Sequence, residues 1–154
     1  MTGCWRSAQS WDYKFADLYQ MTAGYSGTPL AKKLGIKEGF RIALFNQPES
    51  YFSLFTDFPT NVKVINKAKV DFIHYFATEE KQLIKDISKL KNQIEQNGMI
   101  WISWPKKASK VKTDLTEDAI RNLALKNGLV DIKVCAVDET WSGLKLVIPV
   151  KDRK

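Results

Sequence analysis

VDFIHYFATEEKQLIKDISKLKNQIEQNGMIWISW, residues 70–104, decides the fold. It opens with residues 70–77, an apolar run of strand length that reads as a strand covered on both faces. The period then changes. Over residues 79–96, Leu83, Ile87, Leu90 and Ile94 fall on one helical stripe, with Thr78 as the expected cap, Glu79 and Glu80 in the first turn and Gly98 as the expected stop. Residues 99–104, closed by Pro105, return to an apolar strand. Strand, helix of crossover length and strand make a parallel unit, because parallel neighbours need about a dozen residues between them.

Outward from that unit the same reasoning fills the chain. On the amino-terminal side, Thr28, Pro29 and Gly35 frame a short helix. Residues 41–46 read as a buried strand broken by Pro48, and 49–57 as a helix carrying Tyr51, Phe52, Leu54 and Phe55. Residues 62–65 read as a short strand. The link from Asn66 to Lys69 is too short for a crossover, so this strand is expected antiparallel to residues 70–77, or only an edge fragment.

On the carboxyl-terminal side, residues 106–112 form a basic loop. Asp114 and Glu117 resemble a capping pair for a helix that buries Ile120, Leu123 and Ala124 and stops at Gly128. Strands at 130–137 and 144–150, joined by a turn at 138–143, are too close for a crossover and form a hairpin. The expected fold class is therefore α/β: a three-layer Rossmann-like sandwich with a mostly parallel sheet ending in an antiparallel hairpin.

The 154 residues have the length and composition of one globular domain, with 44% hydrophobic and 27% charged residues. No apolar run reaches membrane-spanning length, no signal-peptide pattern opens the chain, and a cytoplasmic location is expected. Cys4 and Cys135 with the single His74 are too few for a structural zinc site, so no metal is expected. Residues 1–20 hold Trp5, Trp11, Tyr13, Phe15 and Tyr19 and carry no net charge. They read as an extension upstream of a start at Met21, or as a short amphipathic helix, with residues 21–154 as the domain. The net charge of +7 therefore lies in the remainder.

Such a sheet, and the phrase Val70-Asp71-Phe72-Ile73-His74-Tyr75-Phe76, resembles the class I methyltransferase arrangement. That resemblance implies a glycine-rich turn after the first strand to hold S-adenosylmethionine, and an acidic residue ending the second strand to grip the ribose. Here the turn is Phe45-Asn46-Gln47-Pro48-Glu49-Ser50 and the second strand ends Ile65-Asn66-Lys67. Neither feature is present, so no cofactor is expected, neither S-adenosylmethionine nor a nicotinamide dinucleotide. Leu34-Gly35-Ile36-Lys37-Glu38-Gly39, Ile102-Ser103-Trp104-Pro105-Lys106-Lys107-Ala108-Ser109 and Val137-Asp138-Glu139-Thr140-Trp141-Ser142-Gly143-Leu144-Lys145 resemble signature segments of the bacterial family called domain of unknown function three-zero-five-two. The resemblance covers residues 21–150 and implies a small cytoplasmic protein; it supplies no activity or catalytic residue.

Ligands of open α/β sheets sit beyond the carboxyl ends of the strands. That rule gathers Asn46, Gln47, Trp104, Lys106, Lys107, Asp138, Glu139, Trp141 and Ser142 as candidate ligand-binding residues. Each has a plainer reading: tryptophans covering an open core, acids forming a turn, lysines in a solvated loop. His74, mid-strand between Phe72 and Phe76, reads as a partly buried core histidine, not a base. Nothing qualifies as catalytic. The function expected is a non-catalytic binding or regulatory module, with an anionic small molecule or a protein as partner. The alternatives are an enzyme acting on an anionic small molecule at the Trp104–Lys107/Asp138–Ser142 edge and, third, nucleic-acid binding through the basic surface, for which no recognition motif exists.

Overall fold

A computed structural model describes residues 28–154; the expected start at Met21 and the extension 1–20 lie outside the described residues. The elements run α1 (Leu30–Leu34), β1 (Arg41–Phe45), β2 (Lys63–Val64), β3 (Val70–Phe76), α2 (Glu80–Gln93), β4 (Ile94–Pro105), α3 (Glu117–Lys126), β5 (Val130–Ala136) and β6 (Trp141–Val147). The strands form one six-stranded sheet of order β2-β1-β3-β4-β6-β5. The first four in that order are parallel to one another and β6 is antiparallel to both of its neighbours. This is the α/β sandwich expected, with the terminal hairpin folded so that β6 lies between β4 and β5.

β3 is buried at every position but Asp71, because both sheet faces are covered. On one face Leu83 and Ile87 of α2 and Ile120 of α3 pack on Ile73, Tyr75, Ile102 and Leu144. On the other, Leu34 of α1 and the Tyr51–Leu54 segment pack on Ile42, Phe72, Phe76 and Trp101. Removing this apolar surface from water, at roughly 25 cal/mol per Å², is what holds the layers together.

Several expected boundaries move, each for a local reason. Residues 49–57 form no helix, only a 3₁₀ turn at Tyr51–Leu54. Tyr51 packs edge-on against Phe52, Phe55, His74 and Phe76, so tertiary ring contacts set this backbone instead of a helical stripe. β2 is not antiparallel to β3. It is an edge fragment of two residues lying parallel to β1, with Ile42 opposite Val64. β1 lies between β2 and β3, so the link to Val70 crosses β1; because Ile42 is level with both Val64 and Phe72, it has only to step back a short way along the sheet and does so without a helix. Gln93 holds that link through Nε2 bonds to the carbonyls of Asn66 and Ala68, at 2.8 and 3.3 Å.

α2 ends at Gln93, short of 96, because Ile94 is already extended and pairs with Val70. Gly98 is not a helix stop: a Cβ there would lie 3.0 Å from the Asp71 carbonyl oxygen. The caps are exchanged as well. Asp114 accepts the Glu80 N–H at 2.8 Å and so caps α2, while Thr116 accepts from Ala119 at 3.1 Å and caps α3. In the hairpin, residues 141–143 belong to β6 instead of the turn.

Candidate functional site

The carboxyl ends of β1, β3, β4 and β5 share one edge of the sheet. Asn46 follows β1 with φ 58°, a left-handed conformation that asparagine tolerates better than most side chains. Its Nδ2 donates to the Phe76 carbonyl at 3.3 Å. Trp141 stands edge-on to the Phe76 ring, centroids 4.9 Å apart. With Ala77, Thr78, Glu79 and Gln82 these residues line a cleft of about 160 Å³, below the roughly 300–1,000 Å³ typical of small-molecule sites. Glu79 and Gln82 are not among the candidates the sequence offers, because there they are ordinary residues of a helix start. Their spacing of three, just after a strand end, was the available signal.

The other candidates do not join this cleft. Trp104 is opposite Ser142, and Trp141 is opposite Pro105. Because strand side chains alternate between faces, Trp104 and Trp141 stand on opposite sides of the sheet and no slot lies between them. Trp104 is buried in the cluster under α2 and α3, and Ser142 shares its face. Gln47, Lys107 and Glu139 are exposed. Asp138 forms the turn: its Oδ1 accepts the N–H groups of Thr140 and Trp141, at 2.8 and 2.7 Å. Lys106 donates its backbone N–H to the Thr140 carbonyl at 2.8 Å. Burial lowers its ammonium pKa; Asp138 opposes that shift and Lys33 adds to it.

Asn66 occupies the place where the methyltransferase resemblance implies an acid. Its carboxamide pairs with β1 as a peptide group would. Oδ1 accepts the Leu44 N–H at 3.3 Å and Nδ2 donates to the Leu44 carbonyl at 2.9 Å. The place of the glycine-rich turn is held by Asn46, also bonded inward. The residues present at both positions fail to reproduce a cradle for S-adenosylmethionine.

His74 is more deeply buried than expected, with no exposure. Its Nδ1 shares a hydrogen bond with the Tyr51 hydroxyl at 3.0 Å and its Nε2 one with the Ser103 hydroxyl at 2.6 Å. Its ring stacks on Phe76 at 4.3 Å. Burial pushes its pKa down to about 3, so the ring is neutral. Hydroxyl, imidazole and hydroxyl here satisfy one another inside the core, out of reach of substrate.

Among the described residues no helix is long and apolar enough to cross a membrane, and no cluster of three or more His, Cys, Asp or Glu could hold a metal ion. No curated protein matches the sequence. Among solved structures the chain is similar to an S-adenosylmethionine-dependent methyltransferase from Aquifex aeolicus, at 17% identity over 77% of this chain and 87% of that one, TM-score 0.56. It is similar also to a ribosomal protein L11 methylase from Lactobacillus delbrueckii subsp. bulgaricus, at 10% identity over 77% and 74%, TM-score 0.52. A third is the fibrillarin pre-rRNA processing protein of Methanococcus jannaschii, at 12% identity over 73% and 68%, TM-score 0.50. At these identities the likeness is one of fold, and the fold is methyltransferase-like. The family model described as Protein of unknown function (DUF3052) matches residues 65–150, a span from the end of β2 through β6, and the chain belongs to that family.

Proposed function

We propose that this protein is a non-catalytic binding or regulatory module that keeps a methyltransferase-like fold without holding S-adenosylmethionine. The observation that carries the reading is Asn66. In place of a carboxylate offered to a ribose, it presents an amide that both accepts from and donates to the Leu44 backbone. Asn46, tied to Phe76, supports the same reading at the other cofactor position. The cleft beside it is small for an adenosine-sized ligand, and the one histidine is neutral and enclosed. A catalytic reading at the Trp104/Trp141 edge draws no support from two tryptophans on opposite faces.

Calorimetric titration of the full chain with S-adenosylmethionine and S-adenosylhomocysteine tests the reading. No binding heat is expected from either. A dissociation constant in the micromolar range for either compound would overturn it.

A further inference from the structure

The β5–β6 hairpin carries a group of ammonium ions that the cleft does not use. Lys133 and Lys145 are direct partners in the antiparallel register, so both side chains stand on one face. Lys145 is in turn opposite Trp101, and the Lys133 ammonium lies 6.0 Å from the Trp101 ring centroid. On the same face Lys33 of α1 donates its Nζ to the Ala136 carbonyl at 3.3 Å. Lys106, beyond the end of β4, is not part of this pair: its electrostatic neighbours are Asp138, Lys33, Glu139 and Cys135.

Like charges placed directly opposite destabilise a sheet, and a carboxylate between them is the usual remedy. Among the described residues no carboxylate lies within ion-pair distance of Lys133 or Lys145; the ion pairs there involve Arg41 and Arg121. Asp131 points to the other face, where Arg121 holds it at 3.0 Å. One Asp138 oxygen is occupied by the turn. Lys145 is half-buried. Its ammonium is pushed below its ordinary range by burial first, and then by Lys133 and Lys37. The hairpin thus holds two cations opposite each other, one of them half-buried, beside an aromatic ring.

We propose that Lys133 and Lys145, beside the Trp101 ring, form a binding site for a small molecule carrying closely spaced phosphoryl groups. Paired ammonium ions act as point charges on phosphate oxygens, and a ligand with two or more negative charges relieves the repulsion between Lys133 and Lys145. A nucleic-acid backbone fits less well, because it is matched by an extended row of cations and these two stand opposite each other at one position of the hairpin. The inference rests on the reading of the chain as a binding module and names the ligand class.

The test is a thermal-shift and calorimetric titration of the full chain with sodium pyrophosphate and with metal-free ADP, against sodium chloride at matched ionic strength. A saturable rise in Tm beyond the chloride control is expected, with Lys133→Gln and Lys145→Gln each weakening binding by about tenfold or more. Lys85→Gln, on the exposed face of α2, should bind as the wild type does. Unliganded Lys133→Gln should melt at or above the wild type, since the substitution removes repulsion from an exposed side chain; lost binding in that variant is then no folding defect. No shift beyond chloride would overturn the proposal, and so would unchanged binding in both hairpin variants. A generic DNA duplex bound more tightly than pyrophosphate, and released by the same substitutions, would also overturn it in favour of nucleic acid. Binding of S-adenosylmethionine in the same calorimeter would refute the module reading alone and leave this site standing.

Discussion

His74 makes the stability of this protein depend on pH between about 6.5 and 5, where almost no other side chain titrates. Burial lowers its folded pKa to about 3, against 6.5 for an ordinary histidine. As pH falls below 6.5, the unfolded chain takes up a proton that the folded chain refuses. Stability present above that pH is therefore lost progressively toward pH 3, at about 1.36 kcal/mol per pH unit. At pH 5 the loss reaches about 2 kcal/mol, a large fraction of the ~5–15 kcal/mol that holds a typical domain together. His74 is the only histidine in the chain, and above about pH 5 side-chain carboxylates with ordinary pKa values have largely finished titrating. Urea unfolding followed by tryptophan fluorescence, from about pH 7.5 down to about pH 5, reads the slope directly. His74→Gln keeps one donor and one acceptor between Tyr51 and Ser103 and removes the titrating group. It should flatten the pH dependence even if its absolute stability falls. A wild type equally stable across the window would refute the reasoning, and so would an unchanged slope in His74→Gln.

Two further substitutions test the packing that shapes the site. Asn66→Ala removes both side-chain bonds to Leu44 and should cost about 1–2 kcal/mol in urea unfolding. Asn66→Asp should also destabilise, because a carboxylate cannot donate to the Leu44 carbonyl, and it should not create binding of S-adenosylmethionine in calorimetry. Gly143→Ala places a Cβ 3.0 Å from Trp101 Cε3 and 3.3 Å from both Ser103 Oγ and Val137 Cγ2. Overpacking at that crowded point should lower stability by about 1–3 kcal/mol, visible as a reduced Tm.

The β3–α2–β4 unit was legible because its hydrophobic period changes from a continuous run to a stripe and back, and that pattern depends only on local sequence. Its seam was not legible. Ile94 continues the stripe of Leu83, Ile87 and Leu90, so its apolar character fits a helix end or a strand start equally well. Pairing with Val70 decides between them, and pairing is not local. The same holds for Asp114, which sits three residues before Glu117 like a capping partner. It caps α2 instead, because the Thr113 hydroxyl bonds the Thr78 carbonyl at 2.6 Å and brings residue 114 to the helix end. Tyr51 and its neighbours have helical spacing, yet the rings that fix them lie on β3.

The candidate site was legible as an edge and illegible as a set of directions. The carboxyl-end rule located Asn46 and Trp141 next to Phe76, because it needs only strand order and polarity. Which face each side chain takes depends on register, and here register depends on one turn. Had the turn extended from 138 to 143, Trp141 would be a loop residue free to face Trp104. Asp138 shortens it by accepting the N–H groups of both Thr140 and Trp141, which draws 141–143 into β6. A shift of one residue moves a strand's whole set of side chains to the other face. The register that results separates Trp104 from Trp141 and at the same time sets Lys145 against Lys133 and Trp101. A carboxylate read at first as a candidate ligand contact thereby acts on structure: it closes one arrangement at this edge and assembles the cationic one.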